Sequence, residues 1–315
     1  MKRNIILDCD PGHDDMIAMI IAFASDDIEV LAVTTSAGNQ TQDKTNSNAR
    51  KIMSFLGIEG VPVARGCEKP ICRELRIAAD VHGETGLDGA DLGQPGFEPD
   101  KRHAVELMRD VLMSSRGKTA IVATGPLTNV ALLLAIYPQA KEKIECISFM
   151  GGSVYGGNVT PRAEFNILVD PEAAKAVFSS GVPLIMAGLE VTHKARLGPD
   201  GIARMRAVGN RLGAAVADLM EFYMRSATQP LFAPPGHVEG AHMHDPCAVA
   251  ALIAPDRFLK GEFFGDVELG GIYSAGSTVI DIHGKLGRRP NMTVAFDVDS
   301  GWLTDLIVAS ISRFS

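Results

Sequence analysis

The chain has 315 residues, is 46% hydrophobic and carries a formal net charge of −8 at pH 7, with a pI near 5.5. This length can bury a large core, and α/β folds of this size often form one unit, so we expect a single domain over residues 1–315. Because a negative field repels polyanions, the charge argues against nucleic acid and membrane surfaces as partners.

The five cysteines are scattered along the chain, which is typical of reduced thiols in the cytoplasm rather than of a disulfide framework. No secretory leader is expected, because residues 1–7 run directly into an aspartate-rich segment. The longest apolar runs, such as 16–24, are too short to span a bilayer. Together these features predict a cytoplasmic protein.

Strand-like apolar runs alternate with helical patterns along the chain. The predicted strands are 4–8, 29–35, 119–123, 145–150 and 183–187, and the predicted helices are 14–24, 42–56, 102–114, 128–136 and 171–179. This alternation predicts an α/β fold with a mostly parallel central sheet flanked by helices. Ligands of such sheets bind at the carboxyl ends of the strands, and two loop-rich stretches, 66–100 and 228–246, are candidate lids.

Four carboxylates fall within eight residues near the N-terminus, namely Asp8, Asp10, Asp14 and Asp15. The first two leave the first predicted strand on one face, and the last two open the first predicted helix. Crowded carboxylates repel one another, and a hard divalent cation held by oxygen ligands would neutralise them. The alternative is that Asp14 caps the helix and Asp15 complements its dipole, but that leaves Asp10 unexplained.

A second informative segment places His244 and Asp245 directly before a proline and an apolar helical run. The pair could be a helix cap with a chance neighbour. Because a cation near Asp10 and Asp15 still needs ligands, Asp245 could supply one. His244 beside it could then act as an acid near neutral pH.

Two glycine-rich segments carry further polar residues. Segment 151–166 does not open directly into a helix, which argues against a dinucleotide-binding motif, and its Asn158, Glu164 and Asn166 suit hydrogen bonds to a polyhydroxylated ligand. Segment 81–89 contains His82 among glycines that allow the backbone to close over a ligand. Ordinary surface loops remain the alternative for both.

These motifs together make the sequence resemble the nucleoside hydrolases, also called nucleoside N-ribohydrolases, over almost the whole chain. The matching segments are DCDPGHDD (8–15), AGN (37–39), HGETGL (82–87), ATGPLTN (123–129), MGG (150–152), AEFN (163–166) and HD (244–245). Segments 81–89 and 187–195 look most like the pyrimidine-preferring branch, whereas segment 224–238 departs from the family pattern. A purine or broad inosine–uridine preference is the alternative.

The resemblance implies a Ca²⁺ ion and a ribonucleoside substrate in a homo-oligomer, either a dimer or a tetramer. The implied metal ligands are Asp10, Asp15, the main-chain carbonyl of Thr124, and Asp245. The implied substrate-binding residues are Asp14, Asn39, Asn158, Glu164, Phe165, Asn166 and Asp245. The implied catalytic residues are Asp10 as general base, with His244 and His82 supplying or relaying a proton to the leaving base.

The reaction that the resemblance implies is hydrolysis of the N-glycosidic bond, which gives ribose and free base in nucleoside salvage. Two other functions fit parts of the pattern. Asp8 and Asp10 superficially match the nucleophile motif of metal-dependent phosphatases, although the later acidic segment 265–269 is a poor match. A non-catalytic Ca²⁺-dependent nucleoside sensor would need the ligands and sugar contacts but no acid or base.

Overall fold

The computed structural model describes residues 2–227 and 240–314. Its centre is an eight-stranded sheet in the order β3-β2-β1-β4-β5-β6-β12-β9. The strands of the described chain are β1 (Arg3–Cys9), β2 (Ile28–Thr35), β3 (Val63–Arg65), β4 (Thr119–Ala123), β5 (Ile144–Met150), β6 (Leu184–Ala187), β7 (Arg196–Leu197), β8 (Ala241–His242), β9 (Phe258–Phe263), β10 (Gly265–Val267), β11 (Thr278–Ile280) and β12 (Met292–Val298). Every neighbouring pair in the sheet is parallel except β12 with β9.

Helices cover both faces of this sheet. They are α1 (His13–Ala24), α2 (Gln42–Phe55), α3 (Ala79–His82), α4 (Ala104–Ser114), α5 (Thr128–Ile136), α6 (Phe165–Val169), α7 (Pro171–Phe178), α8 (Leu189–Thr192), α9 (Pro199–Ala207), α10 (Arg211–Ala227), α11 (His244–Ile253) and α12 (Ser300–Ile311), with 3₁₀ helices at Pro138–Lys143 and Pro255–Arg257. One buried apolar cluster unites α1, α10, α11 and α12 with the sheet, and a second unites α4, α5 and α7 with the other face. The α/β fold predicted from the sequence is therefore confirmed.

The strands that carry the site are largely buried and mostly apolar. All five residues of β4 are buried, as are the last five residues of β1. Such continuous hydrophobic runs are typical of parallel strands covered by helices on both sides. The carboxyl ends of β1, β2, β4 and β5 consequently meet at one edge of the sheet, where Asp10, Asn39, Thr124 and Gly151 follow them.

The ten predicted elements all exist, and their ends differ from prediction by at most two residues. The predicted loop 228–246 is wrong where it can be compared, because residues 240–246 contain β8 and the first turn of α11, while 228–239 lie outside the described residues. Proline lacks an N–H, but N–H groups in a first helical turn have no intrahelical partner, so α11 begins at His244 ahead of Pro246. Likewise 224–227 of the divergent segment 224–238 are the end of α10. Among the described residues no helix is long and apolar enough to cross a bilayer.

Candidate active site

A cavity of about 700 Å³ opens at the carboxyl edge of the sheet. It is lined by residues from strand ends, loops and helices along most of the chain, from the segment after β1 to the start of α11. The lining residues are Asp14, Asn39, Arg76, Ile77, Ala78, Asp80, Val81, His82, Thr124, Met150, Asn158, Val159, Glu164, Phe165, Asn166, His193, Tyr223, His242, His244 and Asp245. All predicted site residues except Asp10 and Asp15 line this cavity, and those two lie buried next to it.

Asp10 is fully buried directly after β1. Its Oδ2 accepts a hydrogen bond of 2.6 Å from the backbone N–H of Asn39, whereas its Oδ1 has no hydrogen-bond partner in the described part of the chain. A Cβ on Gly125 would lie 2.6 Å from Oδ1, so a glycine is needed there to leave room for the carboxylate. Burial, and then the charge of Asp15, raises the pKa of Asp10 well above its usual range.

Asp15 joins the helix start to two other strand ends. Its Oδ2 accepts from the backbone N–H of Gly12 at 2.9 Å and from Asn39 Nδ2 at 3.1 Å, and its Oδ1 accepts from Thr124 Oγ1 at 2.7 Å. The N-cap of α1 is Gly12, so the interpretation of Asp14 as the cap is wrong. Asp15 at the third helical position fulfils the capping role while also facing the site.

Asp14, Asp15 and Asp245 each place one carboxylate oxygen within 4.8 Å of the others, and all three are buried. Burial, and then the neighbouring carboxylates, raises the pKa of Asp245 well above its usual range and that of Asp14 to about 7. With Asp10 these residues form the carboxylate cluster. Oxygen-only donors with a buried, unpartnered Asp10 Oδ1 beside them fit a hard divalent cation, because such a cation would relieve the mutual repulsion.

A second polar network of the cavity wall is built around Glu164. Its carboxylate accepts from the backbone N–H groups of Gly152, Asn166 and Ile167 at 2.9 to 3.1 Å. Asn166 Nδ2 donates to the Thr124 carbonyl at 2.7 Å, and Asn158 Oδ1 accepts from the Phe165 N–H at 3.0 Å. Burial raises the pKa of Glu164. These bonds hold the side chains in fixed orientations at the cavity wall.

His82 is buried at the end of α3 and contacts a second histidine. Nε2 of His13 lies 2.7 Å from the Asp88 carbonyl, which can only accept, so this nitrogen carries a proton. Burial lowers the pKa of His13 to about 4, which leaves its Nδ1 unprotonated at neutral pH. That Nδ1 lies 3.2 Å from Nδ1 of His82, and the His13 backbone N–H donates to the same Nδ1 of His82 at 3.4 Å. His13 thus contacts Nδ1 of His82 through both its ring and its backbone.

Three more imidazoles line the same cavity. The ring centroids of His193, His242 and His244 are 4.9 to 5.9 Å apart, and these residues form the imidazole cluster. Nδ1 of His244 lies 2.8 Å from Thr192 Oγ1. Burial, and then the other imidazoles, lowers the pKa of His244 well below its usual range, so the ring is uncharged at neutral pH. It then offers a hydrogen bond rather than a positive charge.

Comparison with known proteins assigns the chain to a family. The family model described as inosine-uridine preferring nucleoside hydrolase matches residues 5–305. The chain belongs to this nucleoside hydrolase family. It is thus a hydrolase that acts on N-glycosyl bonds. This assignment argues against the alternative that the protein is a metal-dependent phosphatase.

Individual relatives agree with this assignment. The chain is 49% identical over 315 residues to the pyrimidine-specific ribonucleoside hydrolase RihA of Shewanella woodyi, covering 100% of both chains. It is 48% identical to the protein of the same name from Enterobacter sp., covering 100% of this chain and 99% of the relative. Among solved structures, the purine-preferring ribonucleoside hydrolase from Gardnerella vaginalis is 30% identical with a TM-score of 0.90 over 98% of both chains. A plant nucleoside hydrolase, PpNRh1, has 28% identity and a TM-score of 0.91 over 99% of both.

Several lining residues of this nucleoside hydrolase are missed by reasoning from the sequence. They are Tyr223, His193 and His242, together with His13 behind His82. His193 lies in segment 187–195, which the family resemblance picks out without giving it a role. Tyr223 carries no signal in the sequence, because it lies inside an amphipathic helix like any other buried residue. Its place in the site is visible only in the structure, where its ring stacks on that of His82 with 5.5 Å between the centroids.

Proposed function

We propose that the protein is a Ca²⁺-dependent hydrolase of pyrimidine ribonucleosides, uridine and cytidine, acting in nucleoside salvage. The observation that carries the proposal is one cavity lined both by members of the carboxylate cluster and by the imidazole cluster. A positively charged sugar suits the carboxylates, and a leaving base that needs hydrogen bonds suits the imidazoles. The names of the relatives from Shewanella woodyi and Enterobacter support the pyrimidine preference.

Asp10, Asp15, Asp245 and the Thr124 carbonyl would hold the Ca²⁺ ion, as the resemblance implies. The Thr124 carbonyl already accepts from Asn166, but a carbonyl oxygen has a second lone pair. When bound, the ion would neutralise the carboxylate cluster and help to orient the sugar hydroxyls and the attacking water. The unpartnered Oδ1 of Asp10 and the crowding of the carboxylates support this assignment.

Asp10 acts as general base in the proposed reaction. It removes one proton from a water molecule while the water oxygen bonds to C1′ of the ribose and the C1′–N bond breaks. The bonding electrons leave with the base, which takes up one proton, so that nucleoside and water become ribose and free base.

His244 and His82 receive different roles. The neutral His244 donates a hydrogen bond to the departing base, which stabilises the negative charge that develops there, and the base takes its proton from solvent. His82, whose Nδ1 contacts His13, would offer its other ring nitrogen, Nε2, to a polar group of the substrate. The two histidines would thus bind two polar groups of the same nucleoside.

The ribose would be held by polar residues of the cavity wall. Asp14, Asn39, Asn158, Glu164 and Asn166 offer fixed acceptors and amide groups to its hydroxyls, while the Phe165 ring would contribute an apolar contact. Holding the ribose in one orientation itself accelerates the reaction, because the orientational entropy is then lost on binding and not at the transition state.

A release assay on a panel of nucleosides, with and without Ca²⁺, tests the proposal. We expect free base and ribose from uridine and cytidine, with kcat/KM for uridine above that for inosine, and no product after metal removal. A uridine-to-inosine ratio below one would reject the pyrimidine preference. Binding of nucleosides without turnover would instead favour the sensor function.

We further propose that residues 1–315 form one cytoplasmic domain that assembles as a dimer or tetramer. Support for one domain comes from the sheet, whose strands are drawn from Arg3 through Val298. All five cysteines are free thiols, which supports a reducing compartment. Light scattering coupled to size-exclusion chromatography would measure the subunit number, and a monomeric mass would reject the assembly.

A further inference from the structure

The ring of His244 is held by a buried threonine from another segment of the chain. Thr192 is the last residue of α8, is 0% exposed, and its Oγ1 lies 2.8 Å from His244 Nδ1. Within residues 2–227 and 240–314, Nε2 of His244 has no hydrogen-bond partner, while the ring lines the cavity. Thr192 therefore occupies one ring nitrogen and leaves the other to a ligand.

A short two-stranded ladder brings these two residues together. β7 and β8 pair in antiparallel fashion, with Arg196 opposite His242, and the backbone N–H of Met243 donates to the Ala195 carbonyl at 2.7 Å. The segment ending β8 therefore runs back along the segment that follows α8. Because backbone hydrogen bonds fix this register, the Thr192 hydroxyl is held at His244 by the fold rather than by a flexible side chain.

The hydroxyl decides which ring nitrogen can donate. A threonine hydroxyl can donate or accept, but Thr192 is 0% exposed and has no other side-chain hydrogen bond in the described chain, so its proton is satisfied only by donation to Nδ1. The single proton of an uncharged imidazole is then on Nε2. Valine has nearly the same shape but cannot form this bond. Without the hydroxyl, the ring is free to carry its proton on Nδ1, where no leaving base can use it.

We propose that Thr192 is a positioning residue that holds the His244 ring with Nε2 as its hydrogen-bond donor toward the leaving base. This inference rests on the proposed function, in which His244 assists departure of the base. It gives segment 187–195 a role in leaving-group chemistry.

Thr192→Val and Thr192→Ser, compared on two ribosides, test the inference. Uridine needs help with its leaving group, whereas 4-nitrophenyl riboside releases a phenolate that is stable without a proton. We expect Thr192→Val to lower kcat for uridine by about tenfold with KM nearly unchanged, and to leave 4-nitrophenyl riboside hydrolysis near the wild-type rate. Thr192→Ser, which keeps the hydroxyl, should restore most of the uridine activity.

Thr119→Val is the matched control. Thr119 is also buried, but it lies at the amino end of β4, whereas the site lies at the carboxyl ends of the strands. Its hydroxyl has no hydrogen-bond partner in the described chain. We expect it to behave like wild type on both substrates. Wild-type kcat for Thr192→Val on uridine, or an equal loss on both ribosides, would overturn the inference, since an equal loss indicates a purely structural role.

His244→Ala separates failure of this inference from failure of the proposed function. If wild type does not hydrolyse uridine, or His244→Ala is as active as wild type, the proposed function fails. If His244→Ala loses activity and Thr192→Val does not, only the role of Thr192 fails. Should Thr192→Val not fold, ¹⁵N-histidine spectra of the wild-type chain decide: a protonated Nε2 at His244 supports the inference, and a protonated Nδ1 overturns it.

Discussion

The carboxylate cluster and the imidazole cluster are both sets of crowded, buried titratable groups, but burial affects them differently. Burial raises the pKa of Asp10, Asp14 and Asp245 and lowers the pKa of His193 and His244. An imidazole that loses its proton is uncharged and still donates and accepts hydrogen bonds. A carboxylate must gain a proton or a counterion, so the carboxylate cluster needs a partner that the imidazole cluster does not.

Removal of the metal is expected to have the largest effect, because it leaves the carboxylate cluster without its counterion. Exhaustive chelation should abolish activity and lower the melting temperature, since a ligand that binds only the native state stabilises it by mass action. Added Ca²⁺ should restore both. Activity that survives with metal content confirmed near zero would contradict the metal hypothesis.

The metal-free protein should also lose stability as the pH rises. The pKa of Asp14 is raised from 3.8 to about 7, so its contribution to stability is present at low pH and is lost as the pH rises through about 7. Histidines with lowered pKa values, such as His13, have the opposite effect, because their contribution to stability grows as the pH rises. That growth ends near their unfolded pKa of 6.5. Melting curves without metal should therefore shift down between about pH 6.5 and about pH 8, and the stabilisation by Ca²⁺ should grow over that range.

Substitution within the carboxylate cluster should separate catalysis from ion binding. Asp10→Asn is expected to lower kcat by ~10²–10⁴ with little change in KM, because a general base acts mainly in the transition state. Asp15→Ala should instead lower the affinity for the ion, so that high Ca²⁺ concentrations partly restore activity. Steady-state kinetics across a Ca²⁺ series measure both, and near-wild-type turnover of both variants at saturating Ca²⁺ would show the assignment to be wrong.

The two histidine positions should differ in size of effect. His244→Ala removes the donor to the leaving base and is expected to lower kcat for uridine by ~10². His82→Ala removes a hydrogen-bonding partner of the substrate and should cost about tenfold, mostly in KM. The kinetic constants of the two variants on uridine test this difference, and a greater loss of kcat in His82→Ala would reverse the roles.

The two clusters also differ in how well the sequence predicts them. The carboxylate cluster follows from local features: strand β1, a Pro-Gly turn and the first turn of α1 put Asp10 and Asp15 together, and the rule of carboxyl-end sites adds Asn39 and Thr124. The imidazole cluster depends on β7 and β8, each of which has two residues and therefore no detectable period. His193 and His242 meet only through this tertiary pairing.

The smallest expected effect tests a buried carboxylate that belongs to neither cluster. Asp8 is 2% exposed, and its Oδ1 accepts from Thr34 Oγ1 at 2.7 Å and from Asn129 Nδ2 at 2.8 Å. Burial raises its pKa to about 7, so its contribution to stability is lost as the pH rises through that value. Asp8→Asn keeps the accepting oxygen but does not titrate.

With Ca²⁺ present throughout, the free energy of unfolding in urea should be measured at about pH 6.5 and about pH 8. Its dependence on pH, called the slope here, should then differ between wild type and Asp8→Asn. We expect the wild-type free energy of unfolding to fall by about 1 kcal/mol more than that of Asp8→Asn over this range. Asp256→Asn, at an exposed position in the 3₁₀ helix Pro255–Arg257, should keep the wild-type slope. Equal slopes for wild type and Asp8→Asn would mean that Asp8 does not change its protonation there, and that hydrogen bonds from Thr34 and Asn129 outweigh its burial.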